Sequence, residues 1–132
     1  MPEMSDYVIR MVAHPSTNKV LSTVSPEGKP HSIVCGSLIV LDPETIVVGE
    51  SYMYRTAKYL ETNPNVEFLV WRGKEAFSIL AKAVGRETEG EVFEKMEHSL
   101  ERMNMATVAI WKFKVEEIWD EGITPNVGER LV

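Results

Sequence analysis

Two proline-containing turns bracket a long, almost continuously apolar segment, and this arrangement constrains the fold more than any other feature. Ser25-Pro26-Glu27-Gly28 precedes residues 31–41, and Asp42-Pro43-Glu44 follows them. Proline presets φ for the second position of a turn, so each of these tetrapeptide-scale signals reverses the chain. Strands read on either side, Lys19 to Val24 before and Thr45 to Gly49 after, make two hairpins in succession. Consecutive hairpins give an antiparallel meander, whereas parallel strands need crossovers of a dozen or more residues. Residues 31–41 are apolar on both faces of an extended strand. One face therefore belongs to the core and the other needs a cover, which a planar ligand or a second subunit would provide.

The remaining elements sit around this meander. Ser5 caps a helix over residues 5–13, with Tyr7, Val8, Met11 and Val12 at helical spacing, and His14-Pro15 ends it. Val66 to Trp71 and Ala76 to Val84 read as strands across the tight turn Arg72-Gly73-Lys74. The period then changes. Val92, Phe93, Met96, Leu100 and Met103 recur at three and four residues and predict an amphipathic helix within Glu87 to Asn104. Thr107 to Trp119 returns to strand, and the Gly- and Pro-containing tail from Asp120 is expected to drape on a neighbour or fray. The total is six strands with three marginal helices, a mainly β chain best accommodated by a small, partly open antiparallel barrel.

A chain of 132 residues folds most simply as one domain without disulfides. Its single cysteine, Cys35, fits a reducing compartment and a cytoplasmic location. The net charge of −6, with basic residues dispersed, argues against nucleic-acid binding. No apolar run approaches the roughly 20 residues that cross a bilayer. His14, His31 and His98 lack ligand-like spacing to one another or to Cys35, so a zinc site is not expected.

The segment Gly49-Glu50-Ser51-Tyr52-Met53-Tyr54-Arg55-Thr56 carries the chemistry. It joins a β-branched strand to the helix formers Ala57-Lys58-Tyr59-Leu60-Glu61, which are closed by Asn63-Pro64. Arg55 and Thr56 stand at the start of that helix, where unpaired backbone N–H groups attract an anion. A guanidinium and a hydroxyl there supply further donors to phosphate oxygens. The plainer reading is a helix start with a surface arginine.

Taken in order, Lys19-Val20-Leu21-Ser22-Thr23-Val24, Glu27-Gly28-Lys29-Pro30-His31, Thr45-Ile46-Val47-Val48-Gly49, Met53-Tyr54-Arg55-Thr56 and Asn63-Pro64-Asn65-Val66 resemble the FMN-binding split-barrel proteins related to pyridoxamine 5′-phosphate oxidase. The likeness spans roughly residues 5–119 and is stronger to the short single-domain members than to the oxidase itself. It implies a single-domain, six-stranded antiparallel Greek-key split barrel and a homodimer holding FMN at the subunit interface. By the same resemblance, Arg55, Thr56 and Ser51 hold the phosphate. Ser32, Ile33, Val34 and Cys35 meet the ring edge, largely through backbone, and Val48, Gly49 and Glu50 line the other side. Trp111 is the best aromatic candidate beside the ring. The implied activity is flavin-dependent oxidoreduction or electron transfer, with redox partner and catalytic residue unassigned. A deazaflavin-dependent reductase and a cofactor-free binding module are the alternatives.

The oxidase's additional basic residues for its substrate phosphate have no counterpart here, since Arg130 is the only basic residue in the tail. Apolar neighbours mark Cys35 as an inert thiol. Met96, Met103 and Met105 read as core filler, and Glu91, Glu94, Glu97 and Glu101 as a solvated helix face.

Overall fold

The computed structural model describes residues 2–132. Its elements run α1 (Asp6–Ala13), β1 (Asn18–Val24), β2 (Pro30–Val34), β3 (Leu38–Asp42), β4 (Thr45–Glu50), α2 (Tyr54–Leu60), β5 (Asn65–Arg72), β6 (Glu75–Glu87), α3 (Glu91–Glu101) and β7 (Ala109–Asp120). The seven strands form one antiparallel sheet in the order β2-β1-β5-β6-β7-β4-β3.

The expected six-stranded barrel is thereby corrected to a seven-stranded sheet with open edges, because residues 31–41 are two strands rather than one. The chain changes partner within them. The Cys35 N–H donates to Lys19 O at 2.9 Å, which extends the β1 ladder, while Ser37 O accepts from Gly49 N at 2.8 Å and begins the β4 ladder. Gly36 lies at the exchange. This link also dictates the curvature of the sheet. Across Cys35-Gly36-Ser37, Val34 and Leu38 can be no more than about 15 Å apart. The edges of a flat seven-stranded sheet would be about 29 Å apart. The sheet therefore curls until β2 and β3 face each other across a seam. Irregularities in the β6–β7 register, between Leu80 and Ala81 and between Ala83 and Gly85, supply local bends of the kind such curvature needs.

Inside the curl, Leu21, Ile46, Phe68, Ile79 and Phe113 form a fully buried core closed at one end by Val8, Met11 and Val12 of α1. The Phe68 and Phe113 rings meet edge to face at 5.3 Å. Ser5 caps α1 as its sequence predicts, its Oγ accepting from the Val8 N–H at 3.2 Å. A second cluster lies on the outer side, where Met96 and Leu100 of α3 cover Val47 of β4 and Ile110 of β7. Both faces of β4 are thus buried.

This outer cluster answers much of the question posed by residues 31–41. Leu38 and Val40 pack toward the inner core and Ile39 packs under α3. Only Val34, 81% exposed, remains uncovered to that degree. The tail does not fray, since Gly128 N–H donates to Asp120 O at 2.7 Å and Arg130 bridges Trp119. No helix among the described residues is long and apolar enough to cross a membrane.

Candidate functional site

A cavity of about 240 Å³ opens beside the seam, between the Cys35-Gly36-Ser37 link and the β4–α2 turn. Ile33, Val34 and Cys35 form one wall, and Val48, Gly49 and Ser51 form the other. Its polar side chains are largely occupied. Ser37 Oγ donates to Gly49 O at 2.8 Å, and Ser51 Oγ donates to Ala106 O at 2.7 Å. Burial pushes the Cys35 thiol up to about 12, so the sulfur stays protonated at neutral pH. A slot of this kind offers apolar surface and no side-chain acid or base near neutrality.

Hydrogen-bonding capacity comes from the backbone. Antiparallel pairing alternates between hydrogen-bonded and non-hydrogen-bonded residue pairs. Cys35 bonds to Lys19, so in the β1–β2 register the intervening pairs Val20–Val34 and Ser22–Ser32 are the non-bonded ones. The N–H and C=O groups of Ser32 and Val34 consequently point away from β1, into the seam. Between them, the Ile33 side chain turns inward against the core.

The β4–α2 turn follows at once. Tyr52 and Met53 line the cavity, and α2 begins at Tyr54 with no side-chain cap. The Arg55 and Thr56 N–H groups have no acceptor among the described residues. Arg55 is exposed, with Nε donating to Tyr59 Oη at 3.2 Å and the guanidinium 5.7 Å from the Tyr59 ring centroid. The His31 ring packs edge-on against Tyr59, and burial together with the nearby Arg55 charge lowers its pKa. Thr56 is fully buried and its Oγ1 has no partner, so the expected exposed Arg–Thr pair is one exposed donor and one concealed, unsatisfied hydroxyl.

Glu50 and Trp111 do not line the slot. The Trp111 indole Nε1–H donates to Glu50 Oε1 at 2.8 Å. Arg86 grips the same carboxylate at 3.1 and 3.3 Å and lies with its guanidinium 5.9 Å from the Trp111 ring centroid. Arg86 therefore pairs the Glu50 charge in place, which lessens its repulsion of any anion held at the start of α2.

Met103 and Met105, expected as core filler, instead border this cavity. They line the cavity together with Tyr52, which is 61% exposed. Met103 falls at helical spacing and so reads as core, but α3 ends at Glu101 and Asn104 adopts a positive φ of 57°. The available signal was the pairing of Asn104, tolerant of left-handed backbone, with apolar residues on both sides.

The sequence profile of the pyridoxamine 5′-phosphate oxidase family matches residues 12–121. The chain belongs to that family. A search of curated protein sequences returned no match. Among solved structures, HupZ of Group A Streptococcus is similar with a TM-score of 0.83 and 17% identity, covering 98% of this chain and 99% of that one. An FMN-binding protein from Syntrophomonas wolfei has a TM-score of 0.81 at 17% identity, covering 88% and 84% respectively. An F420 reductase has a TM-score of 0.64 at 14% identity, covering 82% and 92%. At such identities the likeness is one of fold.

Proposed function

We propose that this chain is an FMN-binding oxidoreductase or electron-transfer protein that works as a homodimer, with the flavin seated at the β2–β3 seam. One observation carries the reading. Backbone donors and acceptors of Ser32 and Val34 face the same opening as an apolar slot, which matches a flat heteroaromatic ring with a polar edge. The Arg55 guanidinium and the open N–H groups of Arg55 and Thr56 would hold the phosphate, with Ser51 bracing the turn. FMN would supply the redox chemistry. The chain's own contribution is to orient the ring and to keep water from one face of it. A slot without a titrating side chain suits hydride or electron transfer, which needs no protein acid or base at the transfer step.

The slot's 240 Å³ falls below the roughly 300–1,000 Å³ typical of small-molecule sites. A second copy placed over Val34 and Tyr52 would complete the enclosure. The similarity to an F420 reductase keeps a deazaflavin as the second reading. Its longer anionic tail would call for more cations than Arg55 and Lys58 provide on α2, so FMN is favoured.

The deciding experiment is titration of the purified protein with FMN and with F420, followed by absorbance and flavin fluorescence. Saturable FMN binding, weakened at least tenfold by Arg55→Ala, is expected. Tighter binding of F420 would transfer the proposal to the deazaflavin. Indifference to both would sink it.

A further inference from the structure

A cleft separate from the seam lies between the C-terminal half of α1 and the β5–β6 turn, with a volume of about 550 Å³. Arg10 and His14 face it from α1, Arg72 from the end of β5, and Tyr7 and Glu75 close its sides. It shares no lining residue with the slot. Among the described residues, Arg10 and Arg72 make no salt bridge and no side-chain hydrogen bond. Two guanidiniums without a carboxylate partner thus border one cleft.

The one acidic group present is already engaged. The Tyr7 hydroxyl donates to Glu75 Oε2, leaving Oε1 free to accept another hydrogen bond. That bond to Glu75 is the main reason the Tyr7 hydroxyl titrates above its ordinary range, while Arg10 and Arg72 pull the other way. Both arginines are therefore close enough to act on the same point. His14 is oriented as well, because its Nδ1 accepts from the Ser16 N–H at 3.0 Å. In the neutral ring this leaves Nε2–H as a donor. The Tyr7 ring, braced edge-on by Phe77 at 6.1 Å, gives the cleft an aromatic wall.

We propose that this cleft is a second binding site, taking a phosphomonoester whose organic part carries a hydroxyl or amine donor, such as a sugar phosphate or a mononucleotide. Arg10 and Arg72 clamp the phosphate from two elements, and charge-assisted forks of this type are the strongest neutral-pH phosphate contacts a side chain makes. The His14 Nε2–H adds a further donor. Glu75, positioned by Tyr7, reads the donor on the organic part and rejects bare phosphate as an equal ligand. The negative end of the α1 macrodipole borders the cleft and works against an anion. Attraction must therefore come from the two arginines, which makes the site sensitive to the loss of either. The volume lies within the range of sites for ligands of this size.

Ribose 5-phosphate and inorganic phosphate are the probes, titrated into the full chain at fixed ionic strength and followed by amide chemical shifts. Saturable shifts are expected at Arg72, Gly73 and His14, with ribose 5-phosphate binding more tightly than phosphate. Arg10→Ala and Arg72→Ala should each weaken both probes at least tenfold while leaving FMN binding at the seam unchanged. Glu75→Gln should retain phosphate binding and abolish the preference for the sugar phosphate. Shifts that sodium chloride reproduces, or that survive the Arg10→Ala/Arg72→Ala double variant, would overturn the site. Shifts confined to residues 51–56 and removed by Arg55→Ala would also overturn it, since they would report only the seam.

Discussion

Gly49 shows how one residue can fix the relation of a helix to a sheet. A Cβ built there would stand 2.7 Å from Met96 Cγ and 2.9 Å from its Sδ, with Leu100 Cδ1 at 3.0 Å. Met96 and Leu100 are buried, so neither side chain has space into which to withdraw. Gly49→Ala should cost about 1–3 kcal/mol through overpacking. The check is a lower urea midpoint with an unchanged m-value. Cys35 gives a prediction of a different kind. Its thiol is buried, and burial raises its pKa from the ordinary 9.0 to about 12. Above pH 9 the unfolded chain loses this proton while the folded chain keeps it, so the unfolded state binds fewer protons and stability falls with rising pH. The contribution is complete below pH 9 and is lost progressively up to about pH 12. Cys35→Ala should flatten that alkaline decline in denaturation midpoints, and in the wild type the thiol should resist alkylation at pH 8.

Between elements, Trp111 joins β7 to β4 by donating to Glu50, and Arg86 of β6 completes a three-strand tie at the edge of the inner core. Trp111→Phe keeps the ring's bulk and removes the N–H, at a cost of about 1.5 kcal/mol for a hydrogen bond to a charged group. Because the indole faces Glu50 and not the slot, flavin affinity should survive this change; if it collapses, Trp111 belongs to the cofactor site after all. Resemblance alone suggested the opposite, and the reason is a matter of long-range pairing. Nothing in the spacing of Glu50, Arg86 and Trp111 shows that they share one face. Local signals served better. Ser5, the proline turns and the three-four period of Val92 to Leu100 each encode an element through neighbours close in sequence, and each element appears. The split within residues 31–41 was not legible in the same way. Gly36-Ser37 reads as a weak interruption of an apolar strand, and only the competing ladders of Lys19 and Gly49 turn it into a change of partner. Likewise the second apolar face of that segment called for a cover, but whether helix, ligand or subunit supplied it depended on where α3 came to rest.

At the scale of the whole molecule, curling places both free sheet edges and the slot on a single side. Val34 and Tyr52 are exposed there, next to a cavity that is small for the ligand proposed. Open edges with outward N–H and C=O groups invite pairing, and proteins normally cover or blunt them. A homodimer formed across this side would cover the edges and enclose the flavin in the same step, linking assembly to cofactor affinity by mass action. Val34→Glu tests that linkage. The side chain is largely solvated in the single chain, so the variant's monomer stability should lie within about 0.5 kcal/mol of wild type. Burying the new carboxylate at an apolar interface would be costly. Sedimentation should show a dimer for the wild type and a monomer for the variant, with FMN affinity reduced at least tenfold. FMN affinity in the wild type should also fall on dilution below the dimer dissociation constant. If Val34→Glu stayed dimeric with full affinity, the interface would lie elsewhere. If it became monomeric yet bound FMN normally, one chain would suffice for the site, and the apparent shortfall in slot volume would be met by movement of Tyr52 and Met103 rather than by a partner.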